Sequence, residues 1–314
     1  MAEWRSNSRS RSAGFAIHLP FAWKCASTTL AWFRYVARDA TTQPALVPLN
    51  AKKLTMTLSE SFIQSALEKI DSPDVIGVGI AGSYARGQES KYSDVDFDIF
   101  VSNLPESEYD RYTLRYWDDK LVSLKYALLD DERAALKDPR RAIWAVPGLS
   151  GMKIVLDKDG SLTALQKAAQ KFDWSPLQAI ADEFAAEQVM GCAEEIHKIL
   201  SGLARGHEST VLYASWGLVR GMLEAVVVQR GLMIVSENRY FDLIQEAVGR
   251  DTKWTSAFRT AWGLDSTSSQ YQSRGAAALT LYRLTAAMFD DLIPDKHREV
   301  VKNTLRLIKE AGYQ

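Results

Sequence analysis

The chain is short of the features that would settle several protein classes outright. It has two cysteines, Cys25 and Cys192, in 314 residues. Two isolated cysteines build neither a disulfide framework nor a CxxC metal site, and they suit a reducing, cytoplasmic setting. None of the four histidines has a spacing that resembles a zinc site. Charge of one sign is equally scarce: 38 Lys and Arg against 39 Asp and Glu leave a net charge of −1. Coating a phosphate backbone needs a strong basic surplus, so a nucleic-acid partner is disfavoured, although a local basic patch is not excluded. Uninterrupted apolar runs are missing too. The mildly apolar stretch 14–36 is broken by His18, Pro20, Lys24 and Arg34. It lacks the roughly 18 unbroken residues of a spanning helix, so no membrane partner is expected. There is no internal repeat.

What is present falls into three parts. Residues 1–55 open with a Ser/Arg run, RSNSRSRS at 5–12. A basic start followed by apolar residues has something of a secretory signal, but its core is interrupted and no cleavage site stands out. Arg and Ser without acids after Glu3 also suit an organelle transit peptide. The reading adopted is that 1–55 form a disordered extension, or follow a start codon placed too early, and that the folded protein begins at Met56.

From 56 to 172 the patterns alternate. Apolar residues at Leu58, Phe62, Ile63, Ala66, Leu67 and Ile70 have helical spacing, with Ser59 or Ser61 as cap. Val75–Ala81 reads as a buried strand entering a tight turn at Gly82-Ser83. Strands are expected at 95–101, 121–129 and 152–156, the last closed by the turn sequence Asp157-Lys-Asp-Gly160. Short helical pieces are expected near 107–117, 131–137 and 161–171. After Trp174-Ser-Pro176 strand signals stop, and helical periodicity fills 177–204, 209–231, 237–248, 252–262, 270–291 and 295–312. The fold class is therefore α+β: a small mixed-sheet domain at 56–172, then an all-helical bundle at 173–314.

The chemistry concentrates in one segment, Gly82-Ser-Tyr-Ala-Arg-Gly-Gln-Glu-Ser-Lys-Tyr-Ser-Asp-Val-Asp-Phe-Asp98. Alternate residues of a strand share a face, so Asp94 and Asp96 point the same way. Two carboxylates near one point repel, and a divalent cation is the natural remedy. Hard Mg²⁺ prefers carboxylates together with the oxygens of a triphosphate. Gly82 and Ser83 let backbone N–H groups and a hydroxyl approach phosphate oxygens. Arg86 stands in the same loop, ready to neutralise phosphate charge.

Gly-Ser, then about ten residues, then Asp-x-Asp between apolar residues resembles the signature of the DNA polymerase β-like nucleotidyltransferases. The motif covers about 20 residues, with supporting topology over about 115. The helical half more loosely resembles the aminoglycoside and lincosamide (kanamycin-type) members. The resemblance implies an enzyme that binds an NTP, ATP foremost, with Ser83 on the triphosphate and Asp94 and Asp96 on one or two Mg²⁺ ions. An acceptor hydroxyl would attack the α-phosphorus in line and pyrophosphate would leave.

One departure matters. Many members carry a third carboxylate on the following strand, where this chain has Ser123 and Lys125. Asp98 could substitute, an acid of the helical half could reach over, or activity could be impaired. The bland reading of Asp98 is an ion pair with Lys125 or Arg86. In the helical half the candidates lie in Ala193-Glu-Glu-Ile-His-Lys198. By the kanamycin-type resemblance, Glu194 would be general base and Lys198 would sit on the nucleotide phosphates, with Glu195 close by. The competing reading is a surface i,i+4 ion pair. His197, His207 and Tyr84 read as structural or solvated, and core packing suits Trp174, Trp216, Trp254 and Trp262 better than stacking on an acceptor.

The leading expectation is a small-molecule nucleotidyltransferase with an antibiotic-like acceptor. A protein- or tRNA-modifying adenylyltransferase is the alternative, neutral charge weighing against tRNA. A catalytically impaired nucleotide-binding regulator is the third. The oligomeric state stays open, a homodimer included.

Overall fold

The computed structural model describes residues 58–313. The expected extension at 1–55 lies outside them. The described chain begins with α1 (Glu60–Ile70), where Ser59 Oγ accepts the N–H of Phe62 at 3.1 Å. That satisfies one of the free donors of the first turn. The helix buries Phe62, Ile63, Ala66 and Ile70. Then come β1 (Val75–Ile80), the one-turn α2 (Gly82–Arg86), β2 (Val95–Val101), β3 (Tyr112–Trp117), β4 (Lys120–Ala127), α3 (Leu129–Ala135), α4 (Pro139–Gly151), β5 (Lys153–Asp157) and α5 (Ser161–Gln170).

The five strands form one mixed sheet, ordered β3-β4-β2-β1-β5. Only β2 and β4 run parallel. One face is apolar: Val95, Phe97 and Ile99 pack with Val78, Ile80 and the inner side of α1. On the other face, Phe100 packs with Leu129, Leu149, Leu162 and Leu165 from α3, α4 and α5. Side chains alternate along β2, so Asp96 and Asp98 share the face of Phe100.

Two stretches differ from the sequence reading. Tyr112–Trp117, expected to be helical, is an edge strand, and only Glu108–Arg111 forms a 3₁₀ turn. The reason is the hairpin that follows. Asp118 and Asp119 both adopt left-handed φ, 47° and 61°, as a two-residue turn with matching twist requires. That turn pairs Trp117 with Lys120 and the aromatic run with β4. An Asp-Asp pair does not announce such a turn as Asn-Gly would. The second stretch is α4, which the pattern did not reveal. Asp138 Oδ1 accepts the N–H of Arg140 at 3.0 Å and Pro139 starts the helix, both good start signals, but Pro147 and Gly148 lie inside it and disguise its period.

Beyond Pro176 the described chain is helical: α6 (Gln178–Gly191), α7 (Ala193–Arg205), α8 (Glu208–Gln229), α9 (Tyr240–Val248), α10 (Lys253–Trp262), α11 (Tyr271–Met288) and α12 (Asp295–Glu310). The single run read at 177–204 is divided at Cys192. α8 is the central rod. By length and composition it could cross a membrane, but 67% of its most apolar window is buried inside the protein, packed by α6, α7, α10 and α11. That is the profile of a core helix. Trp254 donates its indole N–H to Thr285 Oγ1 at 2.8 Å in this core. Trp254→Phe is expected to destabilise the protein by about 1–3 kcal/mol, from the lost bond and the lost ring volume. Urea denaturation would show it as a lower midpoint at unchanged slope.

α4 ties the sheet to the bundle. Ile143 sits in the helical core, and its carbonyl accepts the N–H of Ile234 at 2.7 Å. Arg140 lies over the ring of Phe184 at 4.9 Å and faces Glu224 at 3.7 Å. On its other side α4 touches α2.

Candidate active site

The site is built where β1 gives way to α2. Ala81 is extended and donates its N–H to the carbonyl of Asp96 at 2.9 Å, which ties the turn to β2. Gly82 then takes φ +63°, a left-handed conformation open to glycine at little cost. A Cβ on Gly82 would overlap Asp96 Oδ2, so the missing side chain is what lets the carboxylate lie against the turn. α2 closes at Gly87, φ +62°, whose N–H and that of Gln88 bond back to the carbonyl of Ser83. Arg86 Nε donates to Gln88 Oε1 at 3.3 Å. A Ser90–Ser93 turn, with the Ser90 N–H on Ser93 Oγ at 2.9 Å, delivers the chain to Asp94.

Asp96 is the electrostatic centre. Ser123, in register with it on β4 and 2% exposed, donates its hydroxyl to Asp96 Oδ1 at 2.8 Å. Burial pushes the Asp96 carboxyl up to about 6, and Asp94 adds to the rise; the Ser123 bond opposes it, Asp98 contributes further, and Arg86 pulls it back. Gly82 thus lies against Asp96, and Asp94 and Arg86 both act on its charge. Ser83 stands on α2 beside Gly82.

Two residues along the strand the arrangement changes. Asp98 is in register with Lys125, 3.8 Å away, and Lys125 also meets Glu132 of α3 at 3.3 Å. Asp98 is therefore an ion-paired acid, raised by burial and held down by Lys125. The bland alternative describes its geometry. Glu89, which the sequence reading passed over, has Oε1 buried with no partner. It acts with Asp94 on Tyr84, whose hydroxyl is pushed up mainly by burial. Nothing in the residue pattern singled it out, because its loop has no regular period.

Glu194 and Lys198 form an ion pair at 2.9 Å on α7. Lys198 also holds Glu195 at 2.9 Å. Among the described residues no hydrogen bond or ion pair joins either of them to Asp94 or Asp96. Glu194 is 74% exposed, whereas Glu195 lines a cavity of about 280 Å³ with Glu187, Cys192, Arg220 and Glu224. Glu195 Oε2 is buried there without a partner. The Cys192 thiol is pushed up to about 12 by burial and by Glu195 and Glu224, so it stays protonated at neutral pH. On the cavity's outer side Arg220 covers Trp216 at 4.8 Å, and Trp216, 43% exposed, neighbours Tyr213. Trp254 is in the core, but Trp216 is a surface residue. His207 bonds Thr210 and lies outside both clusters.

Residues 62–147, from α1 to α4, match the model of the nucleotidyltransferase domain family. A Methanocaldococcus jannaschii protein named "Putative protein adenylyltransferase" is 29% identical over 114 residues, which is 34% of this chain and 76% of the relative. Among solved structures, a nucleotidyltransferase-like protein from Exiguobacterium sibiricum aligns over 80% of this chain and 79% of its own. Its TM-score is 0.45 and its identity 16%.

Proposed function

We propose that this protein is a Mg²⁺-dependent nucleotidyltransferase that moves a nucleoside monophosphate from an NTP, ATP foremost, to a hydroxyl of a small-molecule acceptor in the cytoplasm. The observation that carries the reading is the Asp96 carboxylate, half-buried near Asp94 against a glycine turn and with its acidity suppressed. A carboxyl crowded by a second acid and desolvated suits a divalent cation, which removes both penalties.

In this reading Asp94 and Asp96 hold Mg²⁺, which when bound supplies Lewis acidity and charge neutralisation at the phosphates. Ser83 and the backbone N–H groups of the Gly82 turn orient the triphosphate, and Arg86 offsets its charge. Residues 56–172 would hold the nucleotide and 173–314 the acceptor. The cavity under α7 and α8 offers carboxylates to a cationic or hydroxyl-rich acceptor. A glutamate of α7 would take the acceptor's proton, and the cavity geometry favours Glu195 over the exposed Glu194. Lys198 would then hold that glutamate in place or reach the phosphates.

A second reading, a protein acceptor, is favoured by the name of the archaeal relative. That relative shares 34% of this chain, so it speaks for the nucleotide chemistry before it speaks for the acceptor.

Transfer of label from α-³²P-ATP in Mg²⁺ to aminoglycosides, lincosamides, tRNA and cellular protein separates these readings. Label on a small molecule is expected. Label on protein alone would favour the second reading. ATP binding without transfer to any acceptor would point to a nucleotide-binding regulator.

A further inference from the structure

We propose that β3 pairs antiparallel with the β3 of a second copy of this chain, joining two sheets edge to edge in a homodimer. The inference goes beyond the nucleotidyl-transfer reading and does not depend on it.

Among the described residues β3 has one neighbour, β4, and closes one end of the sheet. The outer side of an edge strand carries backbone N–H and C=O groups turned away from its neighbour, a template for another strand. Native proteins blunt such edges with proline, lysine or a bulge. Tyr112–Trp117 carries neither residue, and its register with β4 is unbroken. Its side chains are apolar on one face. Leu114 stands opposite Ser123, so Tyr112, Leu114 and Tyr116 lie on the Asp96 face of the sheet. They are 39%, 47% and 75% exposed. Trp117 is on the other face, where it packs with Phe97.

The order of residues makes the strand complementary to itself. With Leu114 opposite the partner's Leu114, Tyr112 meets the partner's Tyr116 on the same face. Aromatic pairs placed directly opposite are stabilising, and the two-fold axis makes this contact twice. On the other face Arg115 meets the partner's Thr113. Arg111, just before the strand, comes level with the end of the partner's β3 and its acidic Asp118-Asp119 turn, so opposite charges meet at both ends. Moving the axis by one residue either way sets Arg115 against the partner's Arg111 or the partner's Arg115, and like charges directly opposite are destabilising. One strand pair with three apolar side chains a side is a small contact, so association in the micromolar range is expected.

Sedimentation velocity of the full chain across that range tests the proposal. The native chain is expected to pass from monomer to dimer as its concentration rises, with amide hydrogen exchange in Tyr112–Trp117 slowing in step. Leu114 is half exposed, so Leu114→Lys and Leu114→Glu are expected to keep the native circular dichroism. Each alone should stay monomeric, because like charges then meet on the axis. Mixed in equal amounts they should restore the dimer, since an ammonium then faces a carboxylate. A monomeric native chain would overturn the proposal: slow exchange at the edge would assign β3 to another segment of the same chain, and fast exchange would leave it for a different protein. A dimer that either charged variant preserves, or folded variants that stay monomeric when mixed, would overturn it too. Should a variant lose the native circular dichroism, the native titration and its exchange decide by themselves.

Discussion

Asp96→Asn is expected to lower nucleotidyl transfer by roughly 10³-fold, the scale seen when a strong electrostatic stabiliser of a transition state is removed, while making the folded protein more stable at neutral pH. The two effects have one cause. The Asp96 carboxyl lies at about 6 in the folded protein, against 3.8 for an ordinary aspartate, chiefly because burial and Asp94 disfavour its charge. The stability tied to its proton is fully present below pH 3.8 and is lost as pH rises through about 6. At pH 7.5 the native protein bears the whole penalty, at most about 3 kcal/mol at 1.36 kcal/mol per pH unit. Asparagine carries no charge, and its Oδ1 can still accept the Ser123 hydroxyl, so about 1–3 kcal/mol should return. Thermal melts at pH 7.5 and pH 4 make the comparison: the variant should be the more stable at pH 7.5, and the gap should shrink toward pH 4. Mg²⁺ should raise the melting temperature of the native protein and leave the variant unmoved, and its binding should weaken as pH falls below about 6. An unstabilised variant would show that burial does not strain this carboxylate, and retained transfer would remove Asp96 from the machinery.

Gly82→Ala is expected to be the next most damaging change. At φ +63° any Cβ costs about 1–2 kcal/mol of backbone strain. Here it also collides with Asp96 Oδ2, so the carboxylate must move, and displacement of a reacting group by about 1 Å costs on the order of 10²-fold in rate. Gly87→Ala is the control. Its φ is +62°, but nothing lies within 4 Å of a Cβ there. Both variants should lose similar backbone stability in urea titrations, and only Gly82→Ala should lose most of its kcat. Equal losses of rate would mean that the turn's conformation, rather than the contact with Asp96, is what matters.

Much of this was legible in the residues because it is local. Ser59 as cap, the β1 run and the Gly82-Ser83 turn all follow from spacings of a few residues. The β3 strand was not legible, since its signal is set by a partner, and the period of α4 is disguised by Pro147 and Gly148. Tyr112–Trp117 becomes a strand only when the Asp118-Asp119 turn folds it onto β4. α4 is held by burial of Ile143 in a core built from residues further along the chain.

The amino-acid order alone determined the motif, the sheet-then-helices sequence of elements and the near-neutral charge. Each is a property of short windows or of composition. The tertiary structure alone decided which acids are free. Ser123 and Lys125 lie 27 residues from Asp96 and Asp98 in the chain. Only the parallel register of β2 with β4 sets one hydroxyl on Asp96 and one ammonium beside Asp98. Likewise the packing of α7 on α8, and not the i,i+4 spacing, left Glu194 in solvent and turned Glu195 into a cavity. Pairing partners and burial are long-range choices, made by the core as a whole, and no local spacing encodes them.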